Sequence, residues 1–185
     1  MISFRVLNEN PMFDYREACK ITQGIEIEPT SEDADVGWWV KQILANHSTL
    51  RSVRFRMKAT APRSVVMQII RATKGHPQPE VQSSRPDWTG KKRSSDPYEE
   101  KLFMQDHTAE SFIEMAKQRL CNRTEERTRR FMQEAVAALK DSGVPFLEAV
   151  GRCCKPSCWW VGGCPELKPC GKDKKRLYDV VMVEA

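Results

Sequence analysis

Two groups of residues have the types and spacing to do chemistry. The first is Gln68, Arg71, Ser83 and Arg85. Ser64, Gln68 and Arg71 follow Pro62 at i, i+4 and i+7, interleaved with the apolar Val65, Val66, Ile69 and Ile70. On a helix that spacing puts the three polar residues on one face. Ser83-Ser84-Arg85 then falls in a stretch, 75–93, rich in Pro, Gly, Ser and charge. A loop of that length is usually functional or flexible. Arginine presents a planar fork of donors that matches phosphate, and a neighbouring serine hydroxyl adds a further bond. An apolar helix feeding a polar loop with arginine at both ends suits an anionic small molecule. A surface arginine on a solvated loop is the competing reading.

The second group is sulfur. Of seven cysteines, Cys19 and Cys121 stand alone, and Cys153, Cys154, Cys158, Cys164 and Cys170 fall within 18 residues. Cys154-x3-Cys158-x5-Cys164-x5-Cys170 supplies four thiolates, which makes Cys154, Cys158, Cys164 and Cys170 the candidate metal ligands. Zinc takes four tetrahedral ligands, habitually in close Cys-x2–4-Cys pairs, and only the first spacing fits that habit. An iron–sulfur cluster also needs four cysteines. Gly162-Gly163, Pro165 and Pro169 suit a short loop wrapped round a metal. Zinc closed in by four thiolates would serve folding rather than catalysis. Reduced thiols packed around Trp159 and Trp160 are an equal alternative, and a disulfide or redox role is a third. An odd cysteine count argues against a secreted disulfide framework.

Both groups need elements to hold them. Ile2 to Leu7 alternates as a short strand. Ser31 to Asp35 reads as a helix entry, and Val36 to Asn46 carries apolar residues at helical spacing, with Trp38 and Trp39 as core. Val53, Phe55 and Met57 alternate with Arg54, Arg56 and Lys58, the pattern of a half-buried strand. Pro62 suits the first turn of the helix that bears Gln68 and Arg71. Residues 94–106 fit neither period clearly, and His107 reads as a helix entry. Ala109 to Cys121 and Thr124 to Lys140 are helical, with Gly143 past the end of the second. Arg123 to Arg130, alternating in sign with Glu125 and Glu126, reads as a solvated, ion-paired helix face. Pro145 opens a short helix to about Gly151, and Tyr178 to Glu184 is a final strand. The expected class is α+β with helices dominant.

Length and composition frame these elements. The chain has 185 residues, enough for one domain with a sizeable core. No run approaches the roughly 18 apolar residues that span a bilayer, and Met1 to Arg5 lacks the apolar stretch of a signal peptide. A cytoplasmic protein with no membrane contact is expected. Net charge is +5 and the pI about 8.8, which suits an anionic partner, from a nucleotide to nucleic acid. The runs Lys91 to Arg93 and Lys172 to Arg176 read as solvated surface.

Order and spacing add a family resemblance. His47-Ser48-Thr49, the strand Val53 to Lys58, Ala61-Pro62, Gln68 and Arg71, and Ser83-x-Arg85 together resemble the core of the flavin-dependent thymidylate synthases. Ser142-Gly143-Val144-Pro145, Glu148 and Arg152, with Pro156 beyond, resemble a second family segment in the right order. The two matches cover roughly 36–156. The resemblance implies a central antiparallel sheet with long helices, in a homotetramer whose active sites lie between subunits. It implies that Arg85, Arg152 and Ser83 hold the phosphate of a dUMP-like pyrimidine nucleotide. Arg71, Gln68, His47 and Thr49 would contact FAD, with His76 within reach of a vacated flavin position. In the family the flavin carries hydride from NADPH and relays the one-carbon unit of methylene-tetrahydrofolate to C5 of the uracil, with no protein nucleophile.

Several positions depart from the family. Arg71-Ala72-Thr73 stands where the family has Arg-His-Arg, Val81 replaces a Glu/Gln, and a final base-orienting motif is replaced by the cysteines. Residues 1–152 are therefore expected to form the nucleotide- and flavin-binding part. Residues 153–185 would form a cysteine-rich segment and terminal strand of the same domain. The leading function is flavin-dependent modification of C5 of a pyrimidine nucleotide by a transferase resembling thymidylate synthase. The alternative is a non-redox nucleotide- or nucleic-acid-binding protein on the same fold, with a structural metal such as zinc at the cysteines. A third reading is an adaptor whose Trp and Cys surface binds another protein.

Overall fold

A computed structural model describes residues 1–31, 33–72, 79–90 and 94–171. Its centre is a four-stranded antiparallel sheet in the order β1-β2-β4-β3. The strands are β1 (Ile2–Val6), β2 (Arg54–Pro62), β3 (Glu80–Val81) and β4 (Glu100–Thr108). Phe4 pairs with Met57, Met57 with Gln105, and Val81 with Phe103. Alternation places Phe55, Met57, Ala59 and Ala61 of β2 on the buried face. Arg5, Arg54 and Lys58 are left on the open face.

Helices pack on the buried face and around its edges. They are α1 (Pro11–Ile21), α2 (Val36–Ala45), α3 (Arg63–Ala72), α4 (Pro86–Thr89), α5 (Ala109–Arg119), α6 (Glu126–Lys140), α7 (Pro145–Cys153) and α8 (Ser157–Val161). α3 packs on β2 and β4, α5 on β4, and α6 on β1, while α7 lies against α2 and α6. Caps fix the helix starts: Asp35 accepts from the Trp38 N–H at 2.7 Å, and Thr108 and Ser111 form a reciprocal capping box. Trp39 is fully buried and meets the Phe146 ring edge-on at 4.9 Å. Full burial of an apolar side chain is worth roughly 1.5–3 kcal/mol, so this aromatic contact is a principal tie between α2 and α7. Trp159 and Trp160 of α8 pack against the same core.

The α+β class with an antiparallel sheet is as expected, and α2 and β1 fall within a residue or two of their expected bounds. Two expectations are corrected. Pro62 closes β2 opposite Glu100 rather than opening a helix, and α3 begins one residue later. His107 lies inside β4, 1% exposed, with Nδ1 3.2 Å from the Ser111 Oγ. The helix entry is its neighbour Thr108, whose hydroxyl accepts from the Ser111 N–H. The expected strand 178–184 and the basic runs 91–93 and 172–176 lie outside the described residues. Among the described residues, no helix is long and apolar enough to cross a membrane.

Candidate functional site

Residues from three parts of the chain meet at one pocket of about 580 Å³. α3 contributes Gln68, the C-terminal end of α5 contributes Arg119, and the turn after it contributes Cys121. Cys158, Cys164 and Cys170 line the remaining wall. Its size is that of a small-molecule or cofactor cleft. The interleaving read from the sequence explains why Gln68 arrives there. Val65, Val66 and Ile69 are buried beneath α3, which turns Gln68 and the exposed Arg71 outward together.

The electrostatics of this wall favour an anion. Arg119 is half-buried, and its Nε is buried without a hydrogen-bond partner. Burial first, and then the like charge of Arg71, hold its guanidinium below the usual arginine range. Arg123 adds further positive charge to the lining, as does Lys117, which is ion-paired with Glu114. Two carboxylates, Glu125 and Glu166, also line it. Glu125 is committed elsewhere: it caps α6, accepting from the Arg127 N–H at 3.0 Å and the Thr128 N–H at 2.8 Å. Partial burial opposes its ionisation, but these bonds outweigh that and lower its pKa. Two guanidinium groups within electrostatic range of each other, one with an orphaned donor, form a site that an anion would stabilise.

The other expected site residues are distributed more widely. His47 is exposed at the head of a 3-10 turn, Ser48–Ser52. Thr49 accepts a bond from the Cys19 thiol at 3.2 Å. Beside it the Tyr15 hydroxyl donates to Gln42 Oε1 at 2.9 Å. Burial, together with the neighbouring Cys19, pushes Tyr15 up to about 12. Tyr15 and Cys19 line a separate pocket of about 280 Å³. Ser83 Oγ accepts from the Arg85 N–H at 3.0 Å, so this Ser-x-Arg element is a compact turn. The Arg85 guanidinium is exposed, paired with Asp87 at 2.7 Å and stacked on Trp88 at 4.8 Å. Arg152 occupies the last turn of α7, half-buried. Arg71, His47, Thr49, Ser83, Arg85 and Arg152 do not line the Gln68 pocket. His76 lies outside the described residues.

The cysteines divide differently from their spacing. Cys154 is 2% exposed at the end of α7, in the core, where burial raises its thiol pKa well above the usual range. Cys153 beside it is likewise pushed up, to about 12. Cys121 joins Cys158, Cys164 and Cys170 instead. Burial raises the Cys158 pKa, and the other three thiols raise it further. Among the described residues these thiols form no disulfide, and no three His, Cys, Asp or Glu side chains are gathered tightly enough to hold one metal ion. Sequence reasoning missed Arg119 and Cys121. Neither carries a local signal, since a basic residue ending a helix is an ordinary dipole partner and Cys121 is separated by 36 residues from Cys158.

No protein-family model matches the chain, and no curated protein matches it.

Proposed function

We propose that this chain is a flavin-dependent enzyme acting at C5 of a pyrimidine nucleotide, on a divergent version of the flavin-dependent thymidylate synthase fold. One observation carries the reading. Gln68, which with Arg71 matches the family's flavin-binding motif, lines a cofactor-sized pocket together with Arg119, and the charge of Arg71 on the same helix is felt at Arg119.

The donor set fits FAD. Arg71 and Arg119 would hold its pyrophosphate through charge-assisted bonds, the orphaned Arg119 Nε gaining the partner it lacks. Gln68 would offer an amide to the ring or ribitol. Bound flavin supplies hydride transfer and relay of a one-carbon unit, with NADPH and methylene-tetrahydrofolate as the expected co-substrates. The protein's part is binding and orientation. Arg85, once released from Asp87, and Arg152 would hold the nucleotide phosphate, with Ser83 fixing the turn that aims Arg85. The resemblance would place such sites between the subunits of a homotetramer.

A second reading drops the redox chemistry and keeps nucleotide or nucleic-acid binding. Arg5, Arg54 and Lys58, exposed on the open face of the sheet, favour it. A dUMP titration tests the phosphate site shared by both readings. Arg85→Ala and Arg152→Ala should each weaken dUMP at least about tenfold, the loss of a charge-assisted bond worth roughly 1.5–3 kcal/mol. Unchanged affinity in both variants overturns the assignment.

A further inference from the structure

Two of the thiols in the Gln68 pocket belong to one short turn of chain, beside the space assigned to the flavin. We propose that Cys158 and Cys164 form a redox-active dithiol that delivers two electrons to that flavin. The inference rests on the flavin reading and adds a source of electrons besides NADPH.

The local chain geometry selects this pair. Cys158 lies in α8, and Gly162 ends that helix in a left-handed conformation, φ 71°. The turn lets the Gly163 N–H donate to the Cys158 carbonyl oxygen at 3.1 Å. The chain thus returns to Cys158 one residue before Cys164, and both cysteines line the same pocket. Cys164 sits where the backbone is neither helix nor strand, so its sulfur can close on Cys158 without breaking an element. The other thiols are committed elsewhere. Cys170 accepts from the Asn122 amide at 3.7 Å and Cys121 from the Arg123 N–H at 3.5 Å, bonds made by the turn beyond α5. Cys153 and Cys154 are buried at the end of α7 and stand outside the lining.

Exposure points the same way. Residues 161–163 and 165–169 are exposed, Leu167 fully so, while Cys164 and Cys170 are half-buried. Hydrophobic collapse alone would turn the leucine inward. The segment instead turns its sulfurs in. The exposed backbone around Cys164 leaves the pair open to an external dithiol, which can restore it by thiol–disulfide exchange.

The lining also suits the electron donor. Burial, and then the neighbouring thiols with Cys164 foremost, raise the Cys158 pKa, so Cys158 rests as a protonated thiol at neutral pH. Arg119 and Arg123 in the same lining are cations of the kind that stabilise a thiolate as it forms. In the step itself, two S–H bonds break and one S–S bond forms between Cys158 and Cys164. The electron pair and one proton pass to the flavin ring, the equivalent of a hydride, and the second proton leaves to solvent. The protein is oxidised by two electrons and the flavin reduced by two.

The test reads thiols as well as flavin. The full-length protein is reduced with dithiothreitol, freed of it anaerobically, and mixed in the dark with FAD. Retained FAD is measured after gel filtration and acid release, and free thiols are mapped by alkylation and mass spectrometry. At least about half of the bound flavin should lose its oxidised absorbance, with matching loss of alkylation at Cys158 and Cys164. Cys19 should stay alkylated. Cys158→Ser and Cys164→Ser should each lower the bleaching at least about tenfold, since one thiol alone cannot close the disulfide. Retained FAD that stays oxidised, with both cysteines still alkylated, overturns this inference and leaves the flavin reading standing. Bleaching that consumes a different pair, or persists in both variants, overturns it too. A protein that retains no FAD overturns both.

Discussion

Replacing Arg71 by Gln should move stability and ligand affinity in opposite directions. Arg71 is exposed on α3, and its charge disfavours the charged form of the half-buried Arg119 on α5. Without a bound anion, the two guanidinium groups repel. Charges paired at a solvated surface interact by about 0.2–1 kcal/mol, so removing one of two like charges should raise the unfolding midpoint slightly. Gln removes the charge and shortens the stem by one methylene, so most of the apolar part of the side chain stays on the helix. With an anion bound, the same charge is worth a charge-assisted hydrogen bond, roughly 1.5–3 kcal/mol. That corresponds to a loss of about 10- to 150-fold in FAD affinity. Thermal melts without ligand and an FAD titration read the two effects separately. Raised salt should shrink both, because exposed charges are screened over about 8–10 Å. A variant that melts lower than wild type, or binds FAD equally well, refutes the reasoning.

Three further outcomes follow from the packing and ionisation. Gly151→Ala should destabilise, because a Cβ there would lie 3.0 Å from the Leu139 Cβ and 3.1 Å from the Lys140 N. Overpacking at about 1–3 kcal/mol outweighs a helix-propensity gain of about 1 kcal/mol at most, and urea denaturation should show a lower midpoint. Asp106 accepts two bonds from Arg56, at 2.6 and 2.9 Å, and these hold its carboxyl below the usual range. A lowered folded-state pKa gives stability that is present above the ordinary aspartate pKa, near about 4, and lost as pH falls through the folded value. Asp106→Asn should therefore flatten the stability–pH curve below about 4, and an unchanged acid limb would count against the pair. Burial raises Tyr15 to about 12, so its contribution is present below the ordinary tyrosine pKa of about 10 and lost as pH rises toward 12. Tyr15→Phe should remove that alkaline slope, measured by fluorescence-monitored denaturation.

The parts of the fold that were legible in the sequence share one property: their apolar period agrees with their burial. α2 and β2 qualify, because Trp39, Val40 and Ile43 and then Phe55 and Met57 are both apolar and inward. β4 does not. Its inward positions are Lys101, Phe103, Gln105 and His107, while Leu102 stands 43% exposed on the open face. Hydrophobicity therefore marks the wrong side, and residues 100–108 show no clean alternation. Lys101 is tolerated inside because Glu99 accepts from it at 2.8 Å. α1 escaped notice because only Met12 and Tyr15 of its residues are buried.

The site was legible where it is local. The Ser64–Gln68–Arg71 face and the Ser-x-Arg turn follow from spacing within a few residues. Arg119 and Cys121 enter through tertiary packing, α3 against α5 and the cysteine-rich segment against the turn beyond α5, and no period in the sequence encodes those approaches. Spacing favoured Cys154 as the fourth thiol because it is the nearest in sequence. Its place at the end of α7 takes it into the core instead.

The flavin assignment is tested most directly by releasing what the purified protein carries. The protein is incubated with FAD, freed of excess, denatured in acid, and the supernatant fluorescence measured. The account predicts about one FAD per chain and a marked loss in Arg71→Gln. A wild-type protein that retains no FAD after saturation contradicts it.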